Sequence, residues 1–325
     1  LLLALKAVKD GDKIFLPNGT YDLGETVLTT ISANNVSIIG ESMDNTIIRN
    51  APDKTTEGNS TTAIFVNNSK NLYMQDLTLR NDLDYYAVGG TARAVCWQDK
   101  CENTICKNVK MLSHQDTYYS NKASKFYWED CELHGCVDYV CGDGDVVFNR
   151  STFVNESRAK DKKSGSDVIC APNTTATINW GYVFLDCKIS SLCNSFTFAR
   201  SWGGKSKAQF IRTQILDNSL ASSRFTIEGM NVAADKFKEY ATTNSAGTIT
   251  TPNSNVINFT HSSGNKKYET VLTDAEAAQY TVANIFGEWV PDKIAAQVTD
   301  KDKGSVFLVD GKITKNRPTI GKFQA

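Results

Sequence analysis

One apolar pattern, apolar-x-apolar-x-x-(apolar or small)-x-apolar, recurs through the middle of the chain, and no copy is long enough to close a core by itself. Its members are Leu72, Met74, Leu77 and Leu79; Thr104, Cys106, Val109 and Met111; Phe126, Trp128, Cys131 and Leu133; and Val146, Phe148, Ser151 and Phe153. Two more follow: Tyr182, Phe184, Cys187 and Ile189, then a degraded copy, Gln209, Ile211, Gln214 and Leu216. The third positions fall at 77, 109, 131, 151, 187 and 214, so the step runs from 20 to 36 residues. Constant core strands joined by loops of varying length give such steps, and units that cannot bury their own apolar face must stack. The expected fold is therefore all-β, a single-stranded right-handed parallel β-helix with short terminal helices and loops. A β-sandwich would need tight two-residue turns between hairpins, and few are present.

Inside the repeat, Val109 to Asp116 and Cys131 to Asp138 are alike: each alternates small or apolar residues with polar ones and ends on an Asp. Val109 to Cys131 and Asp116 to Asp138 both span 22 positions. A coil of that length would set Asp116 and Asp138 at one phase on neighbouring coils, about 4.8 Å apart. Two carboxylates so close cannot both ionise easily, and one should be raised. They form a candidate acid/base and nucleophile pair.

A length of 325 residues suits one long solenoid as well as two average domains. A single domain over residues 1–325 is expected, with residues 230–325 packing on the coil as loops, short helices and a tail. The 41% hydrophobic content supplies a core, and a net charge of −1 argues against nucleic acid or an anionic membrane as the main partner. No run of about 20 apolar residues is present to span a membrane. The opening Leu-Leu-Leu-Ala-Leu reads as part of an amphipathic helix, with any signal peptide already absent and the chain starting inside the domain.

Residues 11–23 read as a strand, a Pro-Asn-Gly turn and a second strand, and 35–50 as two more short strands. Asp235 to Tyr240 reads as a short helical piece, and residues 241–268, rich in Thr, Ser, Asn and Gly, as loops crossing one face. Thr273 with Glu276 three positions on predicts a capping box. The tail carries a hairpin signal, GSVFLVDGKI, turning at Asp310-Gly311. The basic cluster Arg158 to Lys163 reads as a solvated loop. The nine cysteines and three histidines (His114, His134, His261) lack zinc-ligand spacing. Cys106, Cys131 and Cys187 read as small core hydrophobes; export would leave disulfides open, with at least one thiol over. Asp143-Gly144-Asp145 offers too few ligands for calcium and reads as a turn.

Three motifs then carry a resemblance. Gln115-Asp116-Thr117, Val137-Asp138-Tyr139-Val140-Cys141-Gly142 and Arg200-Ser201-Trp202 stand in the order and approximate spacing of the QDT, VDFIFG and GRPW motifs of the pectin methylesterase family, which the chain resembles. Gly19-Thr20-Tyr21 is similar to that family's early GxY, Arg93-Ala94-Val95 stands at its QAV segment, and the likeness runs from GDKIFLPNGTY to LTDAEAAQYT. The resemblance implies a right-handed β-helix acting on methyl-esterified galacturonate in a pectic polysaccharide or oligosaccharide. It implies Asp138 as the nucleophile of an acyl-enzyme, Asp116 as its proton donor and acceptor, and Arg200 beside Asp138 to keep it ionised. Gln115 would donate to the oxyanion, and Trp202 and Tyr139 would offer faces to a sugar ring. No metal or organic cofactor is implied, and the protein would be a monomer acting in the periplasm, at the cell surface or outside. Asn155-Glu156-Ser157 and Asn173-Thr174-Thr175 would carry glycans only in a eukaryotic secretory route.

The chain departs from the family at several of these positions. Arg93 replaces the Gln of QAV and would donate to the oxyanion or bind a neighbouring uronate. His114 replaces the aromatic before QDT and would be a cleft wall or a packed side chain. Ala199-Arg200-Ser201-Trp202 lacks the Gly and Pro of GRPW, Phe198 stands in place of an aliphatic residue, and Cys141 replaces a Phe. These changes imply a branched or otherwise unusual pectic substrate. The competing readings are another β-helix pectin-degrading enzyme, a lyase or galacturonase, and a non-catalytic carbohydrate-binding solenoid. The trio Asp116, Asp138 and Arg200 argues against the last, since binding alone needs no such set.

Overall fold

A computed structural model describes residues 1–25, 29–53, 63–89 and 92–297, together with the backbone of 307–309 and 312–314. The repeat folds as a right-handed parallel β-helix in which each full coil gives one strand to each of three faces. One coil runs through Lys125–Glu129, Glu132–Gly135 and Val137–Gly142, and the next through Asp145–Asn149, Thr152–Asn155 and Ser166–Thr174. On the coil before them a single bent strand, Asn103–Leu112, spans the first two faces, followed by Tyr118–Ser120 on the third.

The register explains the repeat. Lys125 pairs with Asn103 and Val140 with Tyr118, an offset of 22 at both places. Inward positions consequently line up in rows: Met74, Cys106, Trp128, Phe148, Phe184 and Phe210 form one. Leu79, Met111, Leu133, Phe153, Ile189 and Ile215 form another. Along the first row Phe184 stacks on Phe210 at 4.1 Å and on Phe148 at 5.3 Å between ring centroids. The last copy of the pattern is displaced by one residue and is not degraded. Tyr182 pairs with Ala208, Phe184 with Phe210 and Ile189 with Ile215. Ile211, expected inward, lies instead on the outer side, where it joins Val147, Val183 and Leu185 beneath Leu272, Tyr280 and Phe286 of the C-terminal segments. This face is buried on both sides, which is why its strands read as near-continuous apolar runs.

Each coil bends from its first face to its second at a single residue with left-handed backbone: Asp76, Asn108, Asp130, Arg150, Asp186 and Arg212 have φ between 50° and 55°. Asn and Asp tolerate that conformation better than other non-glycine residues. Their side chains ladder from coil to coil. Asn108 Nδ2 donates to Asp76 Oδ1 at 2.6 Å, Arg150 grips Asp130 at 3.0 and 3.1 Å, and Arg212 grips Asp186 at 2.6 and 2.8 Å.

The helix Leu2–Ala7 buries Ala4 and Leu5, and the Thr273–Glu276 capping box opens the helix Asp274–Ala277 as expected. Two expectations fail. Lys236–Tyr240 is a strand paired with Lys207–Ile211, not a helix. Phe237 and Tyr240, three apart, mimic a helical stripe, but the inward residues are Phe237 and Glu239, two apart. The stretch 241–268 is not all loop, since Val256–Phe259 pairs antiparallel with Lys266–Glu269. The tail hairpin is present, Phe307–Val309 against Lys312–Thr314; its turn, Asp310-Gly311, lies outside the described residues. All nine cysteines are buried free thiols, and burial pushes Cys96, Cys131 and Cys187 up to about 12.

Phe184→Ala removes the middle of the aromatic row and is expected to cost about 3–5 kcal/mol in urea unfolding. Leu192→Ala, at a site 53% exposed, should change stability by less than about 0.5 kcal/mol. Native protein should react with thiol reagents at none of its cysteines, and unfolded protein at all nine.

Candidate active site

The corner that leads into the third face carries the two aspartates. Gln115 pairs in parallel with Val137 and Tyr118 with Val140, so Asp116 stands opposite Asp138 on the neighbouring coil. The Asp116 N–H donates to Val137 O at 3.1 Å across that step. Strand spacing then sets the two backbones about 4.8 Å apart. Both residues have left-handed backbone, φ 56° and 49°, and both are about nine-tenths or more buried, at 6% and 5% exposure. Positive φ at a non-glycine residue is uncommon and concentrates where function holds it.

Asp138 also lies at a break in pairing. Val137 pairs with Val168 and Val140 with Cys170, so two residues on one strand face one on the other. The bulge turns Asp138 outward while Tyr139 and Val140 are both fully buried. The expectation that Tyr139 offers a face to a sugar is therefore corrected. Its ring lies in the core, its hydroxyl donates to Asn155 Oδ1 at 2.8 Å, and Gly135 makes room for it. A Cβ at Gly135 would stand 2.1 Å from Tyr139 Cβ.

Arg200 follows the strand Ser195–Ala199, and its N–H donates to Cys170 O at 3.0 Å. From there its side chain reaches back over the intervening strand to Asp138, with Nε to Oδ1 at 2.8 Å and Nη2 to Oδ2 at 2.5 Å. Burial pushes the Asp138 carboxyl above its ordinary range, and the guanidinium acts against it. Desolvation of Arg200 is outweighed by Asp138, and the nearby Asp116 charge adds to the rise in its value. The guanidinium stays protonated throughout, so the pair is a carboxylate held at two points by a fixed cation.

Gln115 and Arg93 share one row, paired coil to coil. Gln115 is half-buried, and its Oε1 has no hydrogen-bond partner among the described residues. Trp202 is half-buried with its ring 5.7 Å from Tyr119. Tyr119 did not stand out in the sequence, yet it belongs here: burial, then Cys141 and Asp116, push its hydroxyl up to about 12. Its position three residues after Asp116, on an outward phase, is the signal that was available. The Asp143-Gly144-Asp145 segment is a turn whose carboxylates are engaged by backbone: Asp143 Oδ1 accepts from Gly144 and Thr175, and Asp145 Oδ1 from Trp180 and Gly181. Among the described residues no group of three or more His, Cys, Asp or Glu is arranged to hold a metal.

The site is thus one cation-held carboxylate, a second carboxylate one coil away, an amide with an open acceptor and a pair of half-exposed rings. A family model described as Pectinesterase matches residues 4–288. Pectinesterase A of Dickeya dadantii (strain 3937) is 26% identical over 325 residues, covering 86% of this chain and 83% of that protein. In fold, the chain is similar to a pectin methylesterase from Yersinia enterocolitica, with a TM-score of 0.70 at 22% identity over 88% of this chain and 98% of the other. It is also similar to a pectin methylesterase solved in complex with a hexasaccharide, with a TM-score of 0.68 at 22% identity over 89% and 92%.

His114, two residues before Asp116, stacks face to face on Tyr85 at 4.8 Å and meets the edge of Tyr86 at 5.2 Å. Burial lowers it below the ordinary imidazole value. It lines a cavity of about 640 Å³ shared with Asp82, Asp84, Tyr86, His134 and Glu156, so it is both wall and packed side chain. His134 bridges Glu156 at 2.6 Å and Glu132 at 2.8 Å. Burial alone would lower His134, but those two carboxylates outweigh it and raise the value. A histidine raised on folding adds stability below its unfolded value of about 6.5, and that stability is lost as pH rises through the folded value. His134→Gln should therefore cost more stability at about pH 5.5 than at about pH 8.5. Equal losses at both pH values in urea unfolding would contradict it.

Proposed function

The chain belongs to the pectinesterase family, a family of carboxylic ester hydrolases, and from that premise we propose that Asp138, Asp116 and Arg200 hydrolyse methyl esters of galacturonate. The observation that carries this reading is the two-point grip of Arg200 on Asp138, one coil from Asp116. Asp138 attacks the ester carbonyl carbon, and the bond to the methoxy oxygen breaks as protonated Asp116 passes its proton to departing methanol. Water then gives a proton to the Asp116 carboxylate while its oxygen attacks the acyl carbon. Asp138 is released, and the galacturonic acid loses its remaining proton to solvent. The Gln115 amide donates to the oxyanion, a contribution of about 3 kcal/mol. Arg93, in the same row, either adds a charged donor there or takes a neighbouring uronate carboxylate. Trp202 and Tyr119 receive a sugar ring.

The substrate is a methylated pectic saccharide, and the hexasaccharide held by one solved pectin methylesterase supports a groove of oligosaccharide length. A recess of about 300 Å³ beside Tyr119, lined by Asn121, Lys122, Asp143, Asn173 and Thr175, offers polar partners to the side sugar of a branched substrate. A polymer of this kind implies action outside the cytoplasm; among the described residues no helix is long and apolar enough to cross a membrane.

Asp138→Asn and Asp116→Asn are each expected to lower methanol release by about 10³-fold or more, with the circular dichroism spectrum unchanged. Undiminished turnover in Asp138→Asn would end the assignment. Methanol should leave branched methylated pectin faster than linear methylated galacturonan, and equal rates would defeat the specialised substrate.

A further inference from the structure

The basic segment is the exposed loop expected, and one of its residues, Arg158, also binds a buried acid. After strand Thr152–Asn155 the chain folds back on itself, with Arg158 N–H donating to Ser164 O at 3.2 Å and Ala159 bridging Lys162. Gly165, at φ +89°, leaves space for the Arg158 stem: a Cβ there would stand 2.6 Å from Arg158 Cγ and Cδ. The guanidinium stays partly in solvent, with 35% of the side chain exposed, while its Nε donates to the buried Asp167 Oδ1 at 2.8 Å. Asp167 is 1% exposed, and its Oδ2 is sealed from solvent with no hydrogen-bond partner among the described residues. The next residue, Val168, pairs with Val137, the neighbour of Asp138. The fold therefore docks a second cation on the strand that adjoins that of the attacking carboxylate.

We propose that Arg158 is a positioning residue for the hydrolysis, docked on Asp167 so that its guanidinium sets a second positive charge beside the Asp138 carboxylate. The proposal rests on Asp138 being the nucleophile. The other groups facing Asp138 are Arg200, Cys170 of the adjoining strand, Cys141 of its own strand and Asp116 on the preceding coil. Those facing Asp167 are Glu156, Cys193, Cys136, Tyr85 and Tyr139. Arg158 lowers the Asp138 value against the burial that raises it. Burial also pushes Asp167 up to about 7, even with Arg158 bound to it. As pH falls below that value Asp167 takes a proton, and the Arg158 charge is then no longer balanced. Its field on Asp138 then grows as pH falls, which favours the ionised form of that carboxylate.

The test is the pH profile of kcat/KM for methanol release from methylated oligogalacturonide. Arg158→Gln should move the acid limb upward by about half a pH unit. Arg158→Lys should leave it near the wild-type position, and Asp167→Asn, which removes a negative charge and keeps the guanidinium, should not move it upward. Where Arg158→Gln does not fold, the double variant Arg158→Met with Asp167→Asn carries the same expected upward shift and leaves no buried charge unpaired. A role confined to fastening the loop would lower the melting temperature and leave the limb unmoved, and that result overturns the proposal. Asp138→Asn, assayed alongside, separates the two readings. If it retains turnover the nucleophile is misassigned; if it is inactive and the Arg158→Gln limb coincides with wild type, only the role of Arg158 is wrong.

Discussion

Parallel pairing at a fixed offset of 22 residues is the constraint on which the site depends. It brings Gln115 against Val137 and Tyr118 against Val140, so two aspartates distant in the chain meet on one corner. A slip of one residue would turn one of them inward, because side chains alternate between faces with a period of two. What prevents the slip is the core beneath: Cys106 on Trp128, and Met111 on Leu133, fill matched positions in the same two coils. The apolar rows thus act on the chemistry indirectly, through register.

The second ingredient is a carboxylate that has been taken out of water and then given back a counter-charge. Burial makes ionisation of Asp138 costly, and the fold answers with Arg200 reaching across a strand to bind both oxygens. Removing one partner of such a pair leaves a buried charge alone, which costs several kcal/mol. The left-handed backbone at both aspartates fits the same account. It lets each corner residue point outward while the strand on either side remains in the wall, and Asp is among the few residues that accept it.

Much of this was legible in the sequence, because a solenoid writes its register into its spacing. The rows from Leu72 to Phe153 were read at the positions the pairing gives them, and the equal spacing of Asp116 and Asp138 brought the pair together before any geometry. What could not be read depended on breaks in periodicity. The copy at Ala208, Phe210, Thr213 and Ile215 was missed by one residue because Ile211, apolar for the sake of the C-terminal segments outside it, offered a competing phase. The burial of Tyr139 is not legible in the sequence, because a bulge sends two successive residues inward and no alternating pattern contains that. Arg158 does not stand out from its basic neighbours, since a cluster of charge in sequence does not tell which member binds a buried acid such as Asp167.

The proposed hydrolysis passes through an acyl group on Asp138. Hydroxylamine added during steady turnover of methylated oligogalacturonide attacks such an acyl intermediate and leaves part of the enzyme as the hydroxamate of its nucleophile. Peptide mass mapping should then find the modification on the peptide containing Asp138, and only when substrate is present. Methanol released at full rate with that peptide unmodified, or with the modification on another carboxylate, would contradict the account.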